Sequence, residues 1–336
     1  MATLKQMQAR KNMFCFFLLV ATIVTCYFAY TKEDVYFMGI LGSLLYAAPV
    51  ALYALIVAVR IRWQGKFMFW PLVKFSILVI APLVLYGRLA TSTPNDDIAK
   101  EHLRIATYNV LYHHKGSIDK QIEVLEKLDA DILSLLEVNE QWEFRLKDYS
   151  QTYPFTYKVQ DKRANDTVGL SMILSKYPLK KSVRHDEGYI TEHYIALPHK
   201  VLSIVQIHAL PPLGKNLTEK RNKTLDIASN LELGEYKIFL GDFNAVHWQK
   251  PIEKILLQQG LRVASKGTPT WPVPVPAAPI DHILTSFNLS PSGSGKICVS
   301  ESDHCLIYVD INLNILPAPI EEKYQEDTTS PYSASR

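Results

Sequence analysis

Hydrophobic positions fall into two regimes along the chain. Up to about residue 90 they form long, nearly unbroken stretches, Met13–Tyr30, Val35–Val59 and Phe67–Gly87. Each approaches the ~20 residues with which a helix crosses a bilayer, so the pattern predicts three transmembrane helices within residues 1–90. Beyond Pro94 the apolar residues shorten to runs of a few positions separated by polar turns. Leu103–Val110, Ile132–Glu137, Gly169–Leu174, Val201–His208, Lys237–Gly241, Asp281–Thr285 and Cys305–Leu313 read as strands. Asp119–Leu128 places Ile122, Leu125 and Leu128 on one helical face with Ser117 as a cap, and Asn222–Leu233 and Pro251–Gln259 also read as helices. From Pro317 the chain is polar and charged and predicts a disordered tail. The expected organisation is an anchor over 1–90, a linker over 91–102, a folded domain over 103–316 and a tail over 317–336. Strands interspersed with helices over the folded stretch predict an α/β sandwich of two packed sheets flanked by helices.

Charge divides at the same place. Residues 1–100 carry a balance of +6 and residues 101–336 a balance of −3, against +3 for the whole chain. The basic character belongs to the anchor, and bulk charge gives the folded domain no platform for nucleic acid. Lys5, Arg10 and Lys11 precede the first apolar stretch, and Arg60, Arg62 and Lys66 follow the second. Positive flanks mark the cytoplasmic side, so three crossings place the folded domain outside the cytoplasm, periplasmic or extracellular. Cys15 and Cys26 lie in the first apolar stretch, and no cysteine or histidine spacing suits zinc. Cys298 and Cys305 would pair only in an oxidising compartment; the burial preference of free cysteine favours two separate core thiols.

The chemistry sits where the short apolar runs stop. One run ends in Tyr108-Asn109, another in Leu136-Glu137, a third in His208 and a fourth in Gly241-Asp242-Phe243-Asn244. Asp281-His282 and Ser302-Asp303-His304 open two more. One such residue is a turn former; a set of them at strand ends is more than turn chemistry requires. Sheets that gather their strand ends at one edge would bring these groups together. Oxygen donors without thiolates suit Mg²⁺ or Mn²⁺, and the histidines can stabilise or protonate a phosphate oxygen.

In this order, Thr107-Tyr108-Asn109, Leu136-Glu137-Val138, His208, Gly241-Asp242-Phe243-Asn244, Ile280-Asp281-His282 and Ser302-Asp303-His304 resemble the endonuclease/exonuclease/phosphatase (DNase I-like) superfamily. Gly169–Pro178 is similar to a structural strand of that family. The resemblance spans about residues 104–313 and implies a four-layer α/β sandwich and metal-dependent hydrolysis of phosphoric esters. It makes Glu137 the principal metal ligand beside Asn109, with Asp303 contributing to a metal or water position. It makes Asp242 the group that orients the attacking water, Asn244 a phosphate contact and His208 the stabiliser of the phosphorane or leaving oxygen. His304 becomes the second acid or base, oriented by Asp281. Some nucleases of the family carry an acid two positions after the first Asn, where this chain has Leu111, so a strict two-metal site is not implied. Taken singly, Asn109 reads as a turn residue, Glu137 as the start of a solvated helix, and His282 as structural. Ala209–Pro212 and the proline-rich stretch from Thr270 to Pro276 read as loops beside the cleft.

Two classes of function follow. One is a phosphodiesterase acting on nucleic acid or on a phospholipid headgroup, the latter favoured by the anchor. The other is a catalytically silent module that uses the same fold to bind lipid or protein.

Overall fold

A computed structural model of the chain describes residues 102–312, apart from 114–115, 163–166, 199 and 275. The three apolar stretches, the linker up to residue 101 and the polar tail lie outside the described residues; His102, expected as the linker's last residue, is the first residue of a strand. Among those described, no helix is long and apolar enough to cross a membrane.

The described chain runs β1 (His102–Asn109), α1 (Asp119–Leu128), β2 (Ile132–Val138), α2 (Glu140–Leu146), β3 (Phe155–Lys162), β4 (Thr167–Ser175), β5 (Leu179–His185), β6 (Ile190–Leu197) and β7 (Lys200–His208). It continues through α3 (Lys215–Ser229), β8 (Lys237–Asp242), α4 (Lys250–Gln259), β9 (Leu261–Val263), β10 (Asp281–Ser286), β11 (Ser290–Ile297) and β12 (Leu306–Asn312). The strands form two six-stranded sheets, ordered β11-β12-β1-β2-β4-β3 and β5-β6-β7-β8-β10-β9.

Side-chain alternation explains the layering, because successive strand residues face opposite sides of a sheet. Leu103 and Ile105 of β1 pack between the sheets with Ile204, Ile238, Leu240, Ile283, Ile307 and Val309. Ala106 and Tyr108, one residue out of phase, pack outward against Ile122 and Leu125 of α1 and Trp142 of α2. On the far side, Val205, Ile207 and Phe239 pack against Leu225 and Ala228 of α3 and Ile252 and Ile255 of α4. Helices, sheet, sheet, helices: the described domain is the α/β sandwich expected from the sequence.

Several elements depart from the expected boundaries. Helix α3 begins at Lys215, about two turns before the expected Asn222, because its inner face starts with buried Thr218, Arg221 and Thr224 instead of apolar residues. It stops at Ser229, where Ser229 Oγ and Asn230 Nδ2 donate to the carbonyl of Asp226 and satisfy a helix-end acceptor. At the start of α1 the capping position is Ile118, while Ser117 Oγ accepts from the Asp119 amide at 3.1 Å. Cys298 and Cys305 form a disulfide, which corrects the expectation of two free thiols. Strands β11 and β12 pair antiparallel as far as Ile297 and Leu306, and the next facing pair is these two cysteines, with Cα atoms 4.3 Å apart.

Candidate active site

The stripe of side chains between the sheets turns polar at one end of the sandwich. In β1 the phase of Leu103, Ile105 and Thr107 carries on to Asn109; in β7 that of Leu202, Ile204 and Gln206 carries on to His208. Ile238 and Leu240 are followed by Asp242, and Asp281 precedes Ile283 with the same spacing. Register aligns these residues across strands: His208 faces Asp242 in the parallel β7–β8 pair, and Asp242 faces Asp281 in the antiparallel β8–β10 pair. His282, one step out of phase, is buried on the helix side, where its Nε2 bonds the Ala245 carbonyl at 2.8 Å. It is structural, as its sequence context suggested.

Glu137 reaches this edge by breaking the alternation. Leu135 and Val138 both pack in the outward core, which a regular strand cannot do, and the β2–β4 register shifts between them. The extra residue is a bulge, and Glu137 within it has φ +61°. Gly169 lies opposite with φ +80°; a Cβ there would stand 2.8 Å from the Glu137 carbonyl carbon and the Val138 oxygen. The bulge re-aims the carboxylate toward β1, so Glu137 does not open a helix; Asn139 caps α2 two residues later.

Apart from Asp303, the predicted site residues form one chain of contacts. Asn109 Nδ2 donates to Glu137 Oε1 at 3.0 Å and to Asp242 Oδ2 at 3.4 Å, bridging the two sheets. The Tyr112 amide donates to Glu137 Oε2 at 3.1 Å, and His208 Nε2 stands 3.5 Å from Oε1. Asp242 accepts from the amide and the side chain of Asn244, at 2.9 and 3.1 Å. Asn244 Nδ2 also donates to the Ala209 carbonyl at 3.0 Å. On the other side His304 Nδ1 pairs with Asp281 Oδ2 at 2.8 Å, and His304 Nε2 lies 3.8 Å from Asp242 Oδ2. Asp303 has a different partner: Trp271 Nε1 donates to its Oδ2 at 3.1 Å, while its Oδ1 is shut off from water with no hydrogen-bond partner.

Burial and charge act together on these groups. Burial alone would raise Glu137, but the neighbouring His208, Asn109 and Tyr112 amide outweigh it and hold the carboxyl well below the usual range. Asp242 is pushed up, chiefly by burial and partly by Asp281, against the pull of His304. Burial disfavours the His304 cation, yet Asp281 and Asp242 override it and hold the imidazole well above its ordinary value.

The donor set fits a hard divalent cation. It offers carboxylate and amide oxygens with histidine nitrogen and no thiolate, and the orphaned Asp303 Oδ1 is a buried acceptor without a donor. Asp242, Asp281 and His304 also bring ligand atoms within 4.8 Å of one another. Asp281 Oδ2 is already engaged by His304 and, at 2.5 Å, by Thr270 Oγ1, so this trio reads better as a proton-handling pair next to a carboxylate. Thr270 and Trp271 were not singled out as site residues by sequence; they were placed only in a loop beside the cleft, and nothing in their spacing marks them as partners of Asp281 and Asp303.

Comparison with known proteins bears on the family and the fold. Residues 106–304 match the model of the Endonuclease/Exonuclease/phosphatase family. The chain belongs to that family. Its members are hydrolases acting on phosphoric esters. A crystal structure described as an endonuclease/exonuclease/phosphatase from Beutenbergia cavernae is similar with a TM-score of 0.52 at 16% identity, covering 63% of this chain and 72% of that one. D. rerio TDP2, in a crystal structure complexed with single strand DNA product, gives 0.51 at 17% identity, covering 63% of this family member and 100% of that chain. A family protein from Leptotrichia buccalis gives 0.51 at 17%, with 62% and 99% covered. At such identities the likeness is one of fold. No protein with a curated description matches this family member in sequence.

Proposed function

We propose that this chain is a membrane-anchored, metal-dependent phosphodiesterase with its catalytic domain outside the cytoplasm. The observation that carries the reading is the convergence of Asn109, Glu137, His208, Asp242, Asn244, Asp281 and His304 from both sheets on one edge, with mutual contacts of 2.8–3.8 Å. A silent binding module has no need of an oriented imidazole–carboxylate pair beside a second buried carboxylate.

Glu137, with Asn109 beside it, would hold Mg²⁺ or Mn²⁺, and the unpartnered Oδ1 of Asp303 would serve a separate metal or water position. Bound there, the ion would neutralise charge on the phosphate oxygens. Asp242, its carboxylate fixed by two bonds from Asn244, orients the attacking water. Asn244 would reach a phosphate oxygen by exchanging the Nδ2 bond it makes to the Ala209 carbonyl. Asp281 fixes the ring of His304 so that Nε2 faces the reacting phosphate, and His208 offers Nε2 to the leaving oxygen from the opposite side. Such a site works by positioning and charge stabilisation of in-line attack on phosphorus.

The placement outside the cytoplasm rests on the flanking Lys and Arg residues. The Cys298–Cys305 bridge supports it, because disulfides persist in oxidising surroundings. A C-terminal tag should be cut by protease on intact cells or spheroplasts; protection until lysis would reverse the orientation.

The activity test uses the full-length protein in detergent with Mg²⁺, Mn²⁺ or EDTA. Bis-p-nitrophenyl phosphate, single-stranded and plasmid DNA, and sphingomyelin or phosphoinositide vesicles are the substrates. Metal-dependent turnover abolished by EDTA is expected, and the natural substrate turned over separates nuclease from lipid hydrolase. Absence of turnover by folded, metal-loaded protein would favour the binding module.

A further inference from the structure

The loop between β11 and β12 carries Asp303 and His304, and its two ends are tied together covalently. Cys298 and Cys305 are seven residues apart in sequence and bridged by a disulfide. Cys305 follows His304 directly, so the bridge anchors the backbone one residue from the imidazole. Cys305 also donates its amide to the Thr270 carbonyl, 2.9 Å away, in the residue whose hydroxyl holds Asp281. The bridge therefore joins three things: the end of β11, the backbone of His304 and the loop that supports its carboxylate partner.

The loop's other ties are not equivalent. Glu301 pairs with Lys120, whose side chain is largely exposed, and exposed ion pairs are weak. Ser302 Oγ donates to the Asn109 carbonyl at 2.8 Å and accepts from the His304 amide at 3.0 Å, while Trp271 holds Asp303. These bonds set the direction in which the loop leans. The disulfide closes its base.

We infer that the Cys298–Cys305 disulfide is a positioning element of the hydrolytic site, holding Asp303 and His304 in register with Asp242 and Asp281. Full turnover accordingly requires the bridge in its oxidised form. The inference rests on the hydrolase reading given above.

The test is reversible reduction of the full-length protein in detergent, with bis-p-nitrophenyl phosphate as substrate. Dithiothreitol supplies two electrons and two protons: the S–S bond breaks, two thiols form, and the reductant closes to its own cyclic disulfide. Reduction should lower kcat by up to about 10²-fold, the scale reached when a reacting group is misplaced by about 1 Å. KM should stay within about twofold, because substrate binding is shared with Glu137 and Asn244. Reoxidation with oxidised glutathione should restore kcat. The C298A/C305A variant, which keeps Cys15 and Cys26, should sit at the low kcat and respond to neither reagent.

Unchanged kcat on reduction would overturn the inference, as would a double variant as active as oxidised wild type. So would a double variant that still responds to reductant, or thiol labelling that finds Cys298 and Cys305 free in the active protein. A fall in kcat that tracks loss of far-UV circular dichroism would also overturn it, by assigning the bridge a purely structural role. Oxidised wild type inactive on every substrate would instead remove the hydrolase reading itself.

Discussion

Glu137 is the residue on which the most constraints converge: a positive φ, a bulge, a facing glycine and donors on both carboxylate oxygens. Strain of this kind persists where surrounding structure fixes it, and it is concentrated at functional sites. Glu137→Gln keeps the shape and removes the charge, so metal-stimulated hydrolysis should be lost in a metal titration while the fold survives. His304→Ala should reduce kcat/KM by roughly 10²–10⁴, the usual contribution of a positioned acid or base, read by steady-state kinetics. Next to Asp242, Gly241 has φ +130°, and a Cβ there would stand 2.0 Å from the Ile207 carbonyl oxygen. Since that neighbour is backbone, Gly241→Ala should cost more than about 3 kcal/mol, measured by denaturant unfolding. At this scale the site was largely legible in the sequence, because polar residues in phase with an apolar stripe mark a strand end facing the interior. Asp303's bond to Trp271 and Asp281's to Thr270 were not, since they join positions remote from the strand pattern.

Elements show a different kind of legibility. The central strands β1, β2, β7, β8, β10 and β12 have apolar cores and were located within a residue or two. The sheet edges β11, β3, β5 and β9 were not located. Strand β5 reads LKKSVRH and β11 reads SPSGSGKI, with a register shift at Pro291/Gly293. Charges, proline and bulges are how an edge avoids pairing with other chains, and they erase the alternation by which a strand is recognised. Strand β6 was missed too, although not an edge; its buried Thr191, Glu192 and His193 break up the apolar signal. Between the first and last described strands, Arg104 makes a forked pair with Asp310, at 2.7 and 3.1 Å, and also donates to the Leu128 carbonyl. Asp310→Ala leaves that partly buried guanidinium without its carboxylate and should lower stability by about 1–3 kcal/mol. Added salt should shrink the difference only in part, because Asp310 is largely buried while Arg104 is partly exposed; fluorescence-monitored unfolding at two ionic strengths checks both points.

For the molecule as a whole, pH acts through its interior. His193 is fully buried between Ser182, whose hydroxyl lies 2.9 Å from Nδ1, and the ring of Tyr157. Burial lowers its pKa to about 4, against an ordinary value of about 6.5. Above the ordinary value both folded and unfolded chains leave it neutral and it contributes no pH dependence. Below that value the unfolded chain takes up a proton that the folded one refuses, so stability falls as pH drops toward 4, by up to about 3 kcal/mol from this residue. His193→Phe should flatten the slope over that window in unfolding curves collected at successive pH values.

The sheet order has one more consequence. Strand β12 is the last described strand, yet it lies inside its sheet, between β11 and β1, and begins two residues after His304. A chain still being synthesised can hold Asn109, Glu137, His208 and Asp242 and have neither the imidazole nor the strand that seals β1 on its open flank. Such a nascent chain has no working centre. The site is therefore complete only once the last described strand is in place, when nearly all of the described domain has been made.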